Sequence, residues 1–140
     1  MAIEGLGYRF NFVPIAAGTL ISLKDCSGIT FVVTGNDTFT LASAGTYNGA
    51  ATNLAVITDY FTCTSTSGAA KWVSAVQAAA ATLSISSGSA AFYVDAAAMP
   101  ASAEYLSVSA AASGLVYAIP DGLLVQRGPA SLRQLSGSSS

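Results

Sequence analysis

The chain has no histidine. That absence removes Ser-His-Asp and Cys-His catalysis, imidazole metal sites and the commonest general base. Charge is nearly as scarce: five Lys+Arg and seven Asp+Glu make up 9% of 140 residues, where soluble surfaces ordinarily carry about a quarter to a third. Neither a polybasic nucleic-acid binder nor an acidic solvating tail can be built from so few. Cys26 and Cys63 are the only thiols, and their separation has neither metal-ligand spacing nor CxxC character. They read as two small buried hydrophobes or as one disulfide. Long runs of large apolar residues are also missing. The longest uncharged stretch, Trp72 to Val94, would reach across a bilayer, but it holds Gln77, Thr82, five Ser and a Gly, so no membrane span is expected. Phe10 to Leu23 has the look of a signal-peptide core after Arg9, but Glu4, Asn11 and Pro14 interrupt it. No leader is expected.

What fills the chain instead is small: 27 Ala, 19 Ser, 12 Thr and 13 Gly, about half of all residues. Leu, Ile, Val and Phe supply 35 residues, a quarter of the chain, enough for a modest core and above the level at which disorder is expected. The exterior must then be largely Ser, Thr, Ala and Gly. Such a surface costs little side-chain entropy to cover, and a net charge of −2 does little to keep copies apart. It suits either a surface covered by other subunits or the Ser/Thr-rich exterior of a secreted β-domain.

Extended segments dominate the pattern. Gly18 to Leu23 reads as a first strand after a Gly/Pro-punctuated arm. Gly28 to Thr34 is strongly β-branched, and the Gly35-Asn36-Asp37 turn leads into Thr38 to Leu41, which together predict a hairpin. Asn53 to Thr66 alternates with large apolar residues on both sides, Leu54, Val56 and Tyr60 against Ile57, Phe61 and Cys63. That predicts a long strand buried by different partners along its length. Lys71 to Leu83 reads two ways: Trp72, Val76, Ala79 or Ala80 and Leu83 share a helical face, whereas period two sets Trp72, Ser74 and Val76 against Val73, Ala75 and Gln77. The preceding turn and the β alternation resumed at Thr82 to Ser86 favour a strand. Ala91 to Asp95, Glu104 to Ala110, Leu115 to Ile119 and Leu123 to Gln126 complete the set, with Ala96 to Ala103 as a crossing loop and Pro120-Asp121-Gly122 as a turn. The expectation is all-β: a single β-sandwich, immunoglobulin-like or related, of about eight short strands. An N-terminal arm (1–17) and a C-terminal arm (128–140) flank a sandwich domain at 18–127. Tyr105, opening a late strand after a loop, stands where the tyrosine corner of immunoglobulin-like sandwiches falls.

No catalytic constellation is present. The acids Glu4, Asp25, Asp37, Asp59, Asp95, Glu104 and Asp121 are scattered singly, and Asp37 and Asp121 are natural turn residues. Ser-x-x-Lys occurs nowhere, and there is no phosphate loop, dinucleotide fingerprint or calcium loop. No enzyme activity, cofactor or metal is expected. From Gly122 to Ser140 the only charges are Arg127 and Arg133, and Arg is enriched at interfaces. Leu132 and Leu135 flank Arg133 as a small apolar anchor. At the other end, Tyr8, Phe10 and Phe12 could anchor the N-terminal arm. These seven residues are the candidate interface.

Three stretches carry a resemblance: GITFVVTGNDTFTL, YFTCTSTSGAAKWVSAVQAA, and the ending that runs through ASGLVYAIPDGLLVQRGPASLRQL. Over about residues 25 to 136 the chain resembles head decoration (cement, minor capsid) proteins of tailed phages infecting actinobacteria. The resemblance implies a virion protein bound in many copies outside an icosahedral shell. Its partners would be the major capsid protein and further copies of itself, most often as trimers, without nucleic acid or membrane. No catalytic residue comes with that family. Two other readings compete: a phage tail or head-fibre subunit, and a secreted carbohydrate-binding or adhesin sandwich. The latter would present Tyr47, Tyr60, Trp72 and Tyr117 on one sheet face.

Overall fold

The computed structural model describes residues 13–23, 27–47, 49–65, 68–100 and 103–121. They form two antiparallel sheets. The first has six strands in the order β1 (Val13–Ile15), β11 (Leu115–Asp121), β3 (Gly28–Thr34), β9 (Ser89–Asp95), β6 (Ile57–Cys63) and β7 (Val73–Ala80). The second runs β2 (Ile21–Ser22), β10 (Tyr105–Ala110), β4 (Asp37–Ala44) and β5 (Thr52–Asn53), with β8 (Thr82–Ile85) paired to the other end of β4. The all-β sandwich expected from composition and alternation is what the chain forms. The first strand expected, Gly18 to Leu23, shortens to β2, and the one expected at Leu123 to Gln126 lies outside the described residues. The strands still outnumber the eight expected because β1 and β5 are only two or three residues long. Elements that short carry no alternation to read.

The core lies between the sheets. Ile29, Phe31 and Val33 of β3, with Phe92 and Val94 of β9, face Phe39 and Leu41 of β4 and Leu106 and Val108 of β10. Period two explains the choice: on β3 these are the alternate residues, while Thr30, Val32 and Thr34 point outward and are half-buried. Phe31 and Phe92, directly opposite in the β3–β9 ladder, bring their ring centroids to 5.5 Å, a distance at which tilted aromatic pairs attract.

The hairpin expected from Gly28 to Leu41 does not form. β3 pairs with β11 and β9, whereas β4 pairs with β10, β5 and β8, so the Gly35-Asn36 turn carries the chain from one sheet to the other. Both strands have a strongly apolar face, and those faces bury more against each other across the sandwich than side by side. Gly35, at φ 111°, supplies a backbone conformation that other residues rarely adopt. The corner is fastened by Asp37. Its carboxylate accepts the backbone N–H of Thr38 (2.7 Å), Ala112 (2.9 Å) and Gly114 (2.8 Å). Asp37 thus ties the β10–β11 crossover to the β3–β4 corner. Burial pushes this carboxyl up, but the donors at Gly114, Ala112 and Thr38 outweigh it and hold the pKa below the ordinary carboxylate value.

The ambiguous run at 71–83 is extended. β7 and β8 are one strand bent at Ala81, leaving the six-stranded sheet for the other. β5 and β6 make the reverse crossing beside it. The two crossings meet at Leu41, whose N–H donates to Ala81 O (2.7 Å) and whose carbonyl accepts from Leu54 N–H (3.0 Å). They lace the sheets together along that side; the single long buried strand expected over Asn53 to Thr66 is instead broken at 54–56 into β5 and β6, and Phe61 on β6 is exposed. The last residues of the 1–17 segment form β1, with Pro14 in a three-residue edge strand, where a missing N–H is tolerated. Pro120 and Asp121, expected in a turn, continue β11 opposite Ile29 and Gly28. Among the described residues, β1 pairs with β11 from Val116 to Ala118.

Candidate docking face

The outward side of the six-stranded sheet is where sequence and fold leave apolar groups uncovered. Register places Tyr117, Val32, Ala91, Phe61 and Ser74 in one row across five strands, with Ile119, Thr30 and Tyr93 in the next. Phe61 is 51% exposed and Tyr93 46%, and Leu115 and Val76 stand out near the corners. At the start of β7, Trp72 and Val73 are exposed as well. Scattered exposed apolar residues need no explanation, but a contiguous patch on one sheet face marks a contact surface.

A cleft opens in this face. The β6–β9 ladder joins Phe61 to Ala91, Thr62 to Ala90 and Cys63 to Ser89, and stops there, while β9 stays paired to β3 as far as Asp95. The cause lies on the far side of β6. Ile57 pairs with Ala80, but Asp59 already pairs with Val76, so three residues of β7 oppose one of β6. Such a bulge bends the strands it joins. The Gln77 side chain secures it, its Nε2 donating to Ile57 O (3.1 Å) and Thr82 O (3.0 Å). β6 therefore leaves β9 beyond Phe61 and opens a space of about 380 Å³ lined by Thr30, Val56, Thr58, Asp59, Phe61, Ala91, Phe92 and Tyr93. Two exposed rings stand beside a carboxylate and two threonine hydroxyls. Asp59 is exposed, and the Thr58 hydroxyl donates to its Oδ2 at 3.4 Å. Tyr93 leans over β3, because a Cβ on Gly28 would strike its hydroxyl. The ring takes the space that a side chain at Gly28 would fill.

A smaller hollow of about 260 Å³ lies by the β4–β5 connection, lined by residues such as Ser43, Gly45, Thr52 and Asn53 with no charged group. Among the described residues no cluster of three or more His, Cys, Asp or Glu side chains is close enough to hold a metal, and no helix is long and apolar enough to cross a membrane. Cys63 is a buried free thiol, donating to Ser65 O (3.2 Å); Cys26 lies outside the described residues.

Tyr8, Phe10, Phe12, Arg127, Leu132, Arg133 and Leu135 all lie outside the described residues. The four aromatics suggested for a glycan platform are dispersed, which corrects that grouping. Tyr60 turns inward against the core. Tyr47 packs on the buried Tyr105, ring centroids 6.3 Å apart, at the other sheet. Trp72 precedes β7, and only Tyr117 lies in the face rows. Phe61 and Tyr93 were missed as surface residues. The alternation of β6 already set Phe61 against Tyr60, but nothing in sequence says which side meets the second sheet. No protein-family model, curated protein or solved structure matches the chain.

Proposed function

We propose that this chain is a structural virion protein, a decoration (cement) subunit that binds the outside of an icosahedral phage head and stabilises it by joining neighbouring subunits. The observation that carries the reading is the exposed apolar row of the six-stranded sheet on a chain with so little charge. Six strands about 4.8 Å apart, five of them seven or eight residues long at about 3.4 Å each, give a face on the order of 24 by 24 Å at most. With side-chain relief and the flank of β7, that approaches the roughly 800 Å² per partner of a standard specific interface. The surface around it is mostly small residues, which lose little entropy when covered. The work is adhesion by area, multiplied over many copies, and it requires no chemistry. The partners are the major capsid protein and further copies of the chain, most often three.

The test is co-sedimentation of the purified chain with heads of the phage that carries its gene, stripped of accessory proteins. Saturable binding at a fixed ratio to the major capsid protein is expected, with heads that resist heating better once decorated. Absence of binding by a demonstrably folded chain overturns the proposal and turns attention to tails and fibres.

A further inference from the structure

We propose that the cleft between β6 and β9 seats an arginine side chain presented by a neighbouring protein subunit. The inference rests on the assembly reading and names the chemistry of one contact within it.

The argument begins with charge. Lys71 is the one basic residue among the described residues, against Asp37, Asp59, Asp95, Glu104 and Asp121. Asp37 is consumed by backbone donors, and Asp95 accepts the Ala97 N–H at 3.0 Å to cap the turn after β9. Asp59 is different: its described partner is a single threonine hydroxyl at a long 3.4 Å. It stands in the cleft of this face, and both strand neighbours that share that cleft bring an aromatic ring. Carboxylate, two rings and two hydroxyls around an apolar floor of Val56 and Phe92 select for a particular guest. That guest is planar and cationic, with several donors and an apolar stem.

Guanidinium fits each requirement. It pairs with a carboxylate through two parallel N–H bonds, and its plane stacks on aromatic rings. It is weakly hydrated, so burying it costs less than burying an ammonium. The propyl stem would lie on the floor while the head meets Asp59 between Phe61 and Tyr93, where the ring faces attract a cation. A volume of about 380 Å³ admits a whole side chain with its flanking backbone. The backbone also helps: β9 beyond Ala91 and β6 before Phe61 have no ladder between them, so an extended segment carrying the arginine finds strand edges on either side.

The experiment titrates the full-length chain with acetyl-Gly-Arg-Gly-amide, and separately with its citrulline counterpart, following backbone and aromatic NMR shifts. Citrulline keeps the shape and removes the charge. Saturable shifts centred on Thr30, Asp59, Phe61 and Tyr93 are expected with the arginine peptide and not with citrulline. Asp59→Asn should weaken binding up to about fivefold, the range of an exposed charge pair, and Phe61→Ala several-fold. Glu104→Gln, which changes net charge equally but lies outside the cleft, should leave it unchanged. Equal binding of citrulline, an equal effect of Glu104→Gln, or shifts elsewhere would overturn the proposal. So would saturation of the same residues by a neutral disaccharide at lower concentration, or displacement of the chain's own Arg127 or Arg133 from the cleft. Stripped heads then complete the test: if wild-type chain binds them, Asp59→Asn must bind at least several-fold more weakly. If wild-type chain fails to bind heads while the peptide result holds, the decoration reading falls and the arginine seat stands.

Discussion

Asp37 shows how one residue can settle the route of the chain. Its carboxylate is buried, yet three backbone N–H groups, one from the start of β4 and two from the β10–β11 connection, converge on it. Those donors favour the ionised form, so the folded-state pKa lies below the ordinary carboxylate value. A depressed pKa gives stability that is present above the unfolded-state value and lost as pH falls through the folded one. Asp37→Asn should therefore be less stable than wild type at neutral pH. The difference should shrink as pH falls from about 4, the ordinary Asp value, which thermal melts at stepped pH will read. An unchanged difference at low pH would mean that geometry, not charge, does the fastening. Gly88 makes the complementary point about backbone. It has φ 84°, and a Cβ there would run into the Cys63 carbonyl and the Thr64 backbone. Gly88→Ala should cost at least about 1–2 kcal/mol from the left-handed conformation alone, measured by urea unfolding. In the core, Phe31 is fully buried against Phe92, and Phe31→Ala should cost about 3–5 kcal/mol by the same measurement.

Among elements, β7 carries the clearest tension. It ends the six-stranded sheet, carries no charge across Val73–Ala80, and exposes Val76 at 73%. Long uncharged edges invite pairing with other chains. The bulge opposite Ile57 and Asp59 interrupts the regular edge and leaves Val73–Val76 as its ordered half. Val76→Lys removes one exposed apolar group and touches no core residue. It should leave stability within about 0.5 kcal/mol while lowering self-association, which sedimentation velocity over a concentration series will show. The same element marks the limit of reading by pattern. An Ala-rich run satisfies helical and extended periods alike, because Ala is compatible with both, and only its flanks, the preceding turn and the alternation at Thr82 to Ser86, favoured a strand. Elsewhere alternation placed the strands well: Phe31, Leu41, Leu106 and Val108 point inward as their period demands. Partner choice was not legible. The Gly35-Asn36-Asp37 signal marks a turn whether the strands it joins pair or part, and here they part because Asp37 finds its donors 75 and 77 residues away. The cleft was illegible for a related reason. It arises from a bulge between β6 and β7 and from a ladder that stops at Phe61, both consequences of pairing among segments distant in sequence.

For the molecule as a whole, the scarcity of charge becomes a prediction about how it binds. A contact dominated by apolar area and small side chains responds to salt very differently from one dominated by ion pairs. Raising sodium chloride from about 0.1 to 1 M shortens the screening length from about 10 to about 3 Å. An exposed pair at Asp59 contributes at most about 1 kcal/mol, so screening it fully costs no more than about fivefold in affinity. A polyelectrolyte contact with six to ten phosphates would lose roughly a thousandfold or more over a smaller range. Sulfate should act in the opposite direction, because it is excluded from protein surfaces and strengthens apolar burial. Head binding measured by co-sedimentation should therefore change by less than about fivefold in sodium chloride and tighten in ammonium sulfate. A steep loss with sodium chloride would place the energy of the contact in charges. The chain's twelve charged side chains, rather than the apolar rows of the six-stranded sheet, would then supply it.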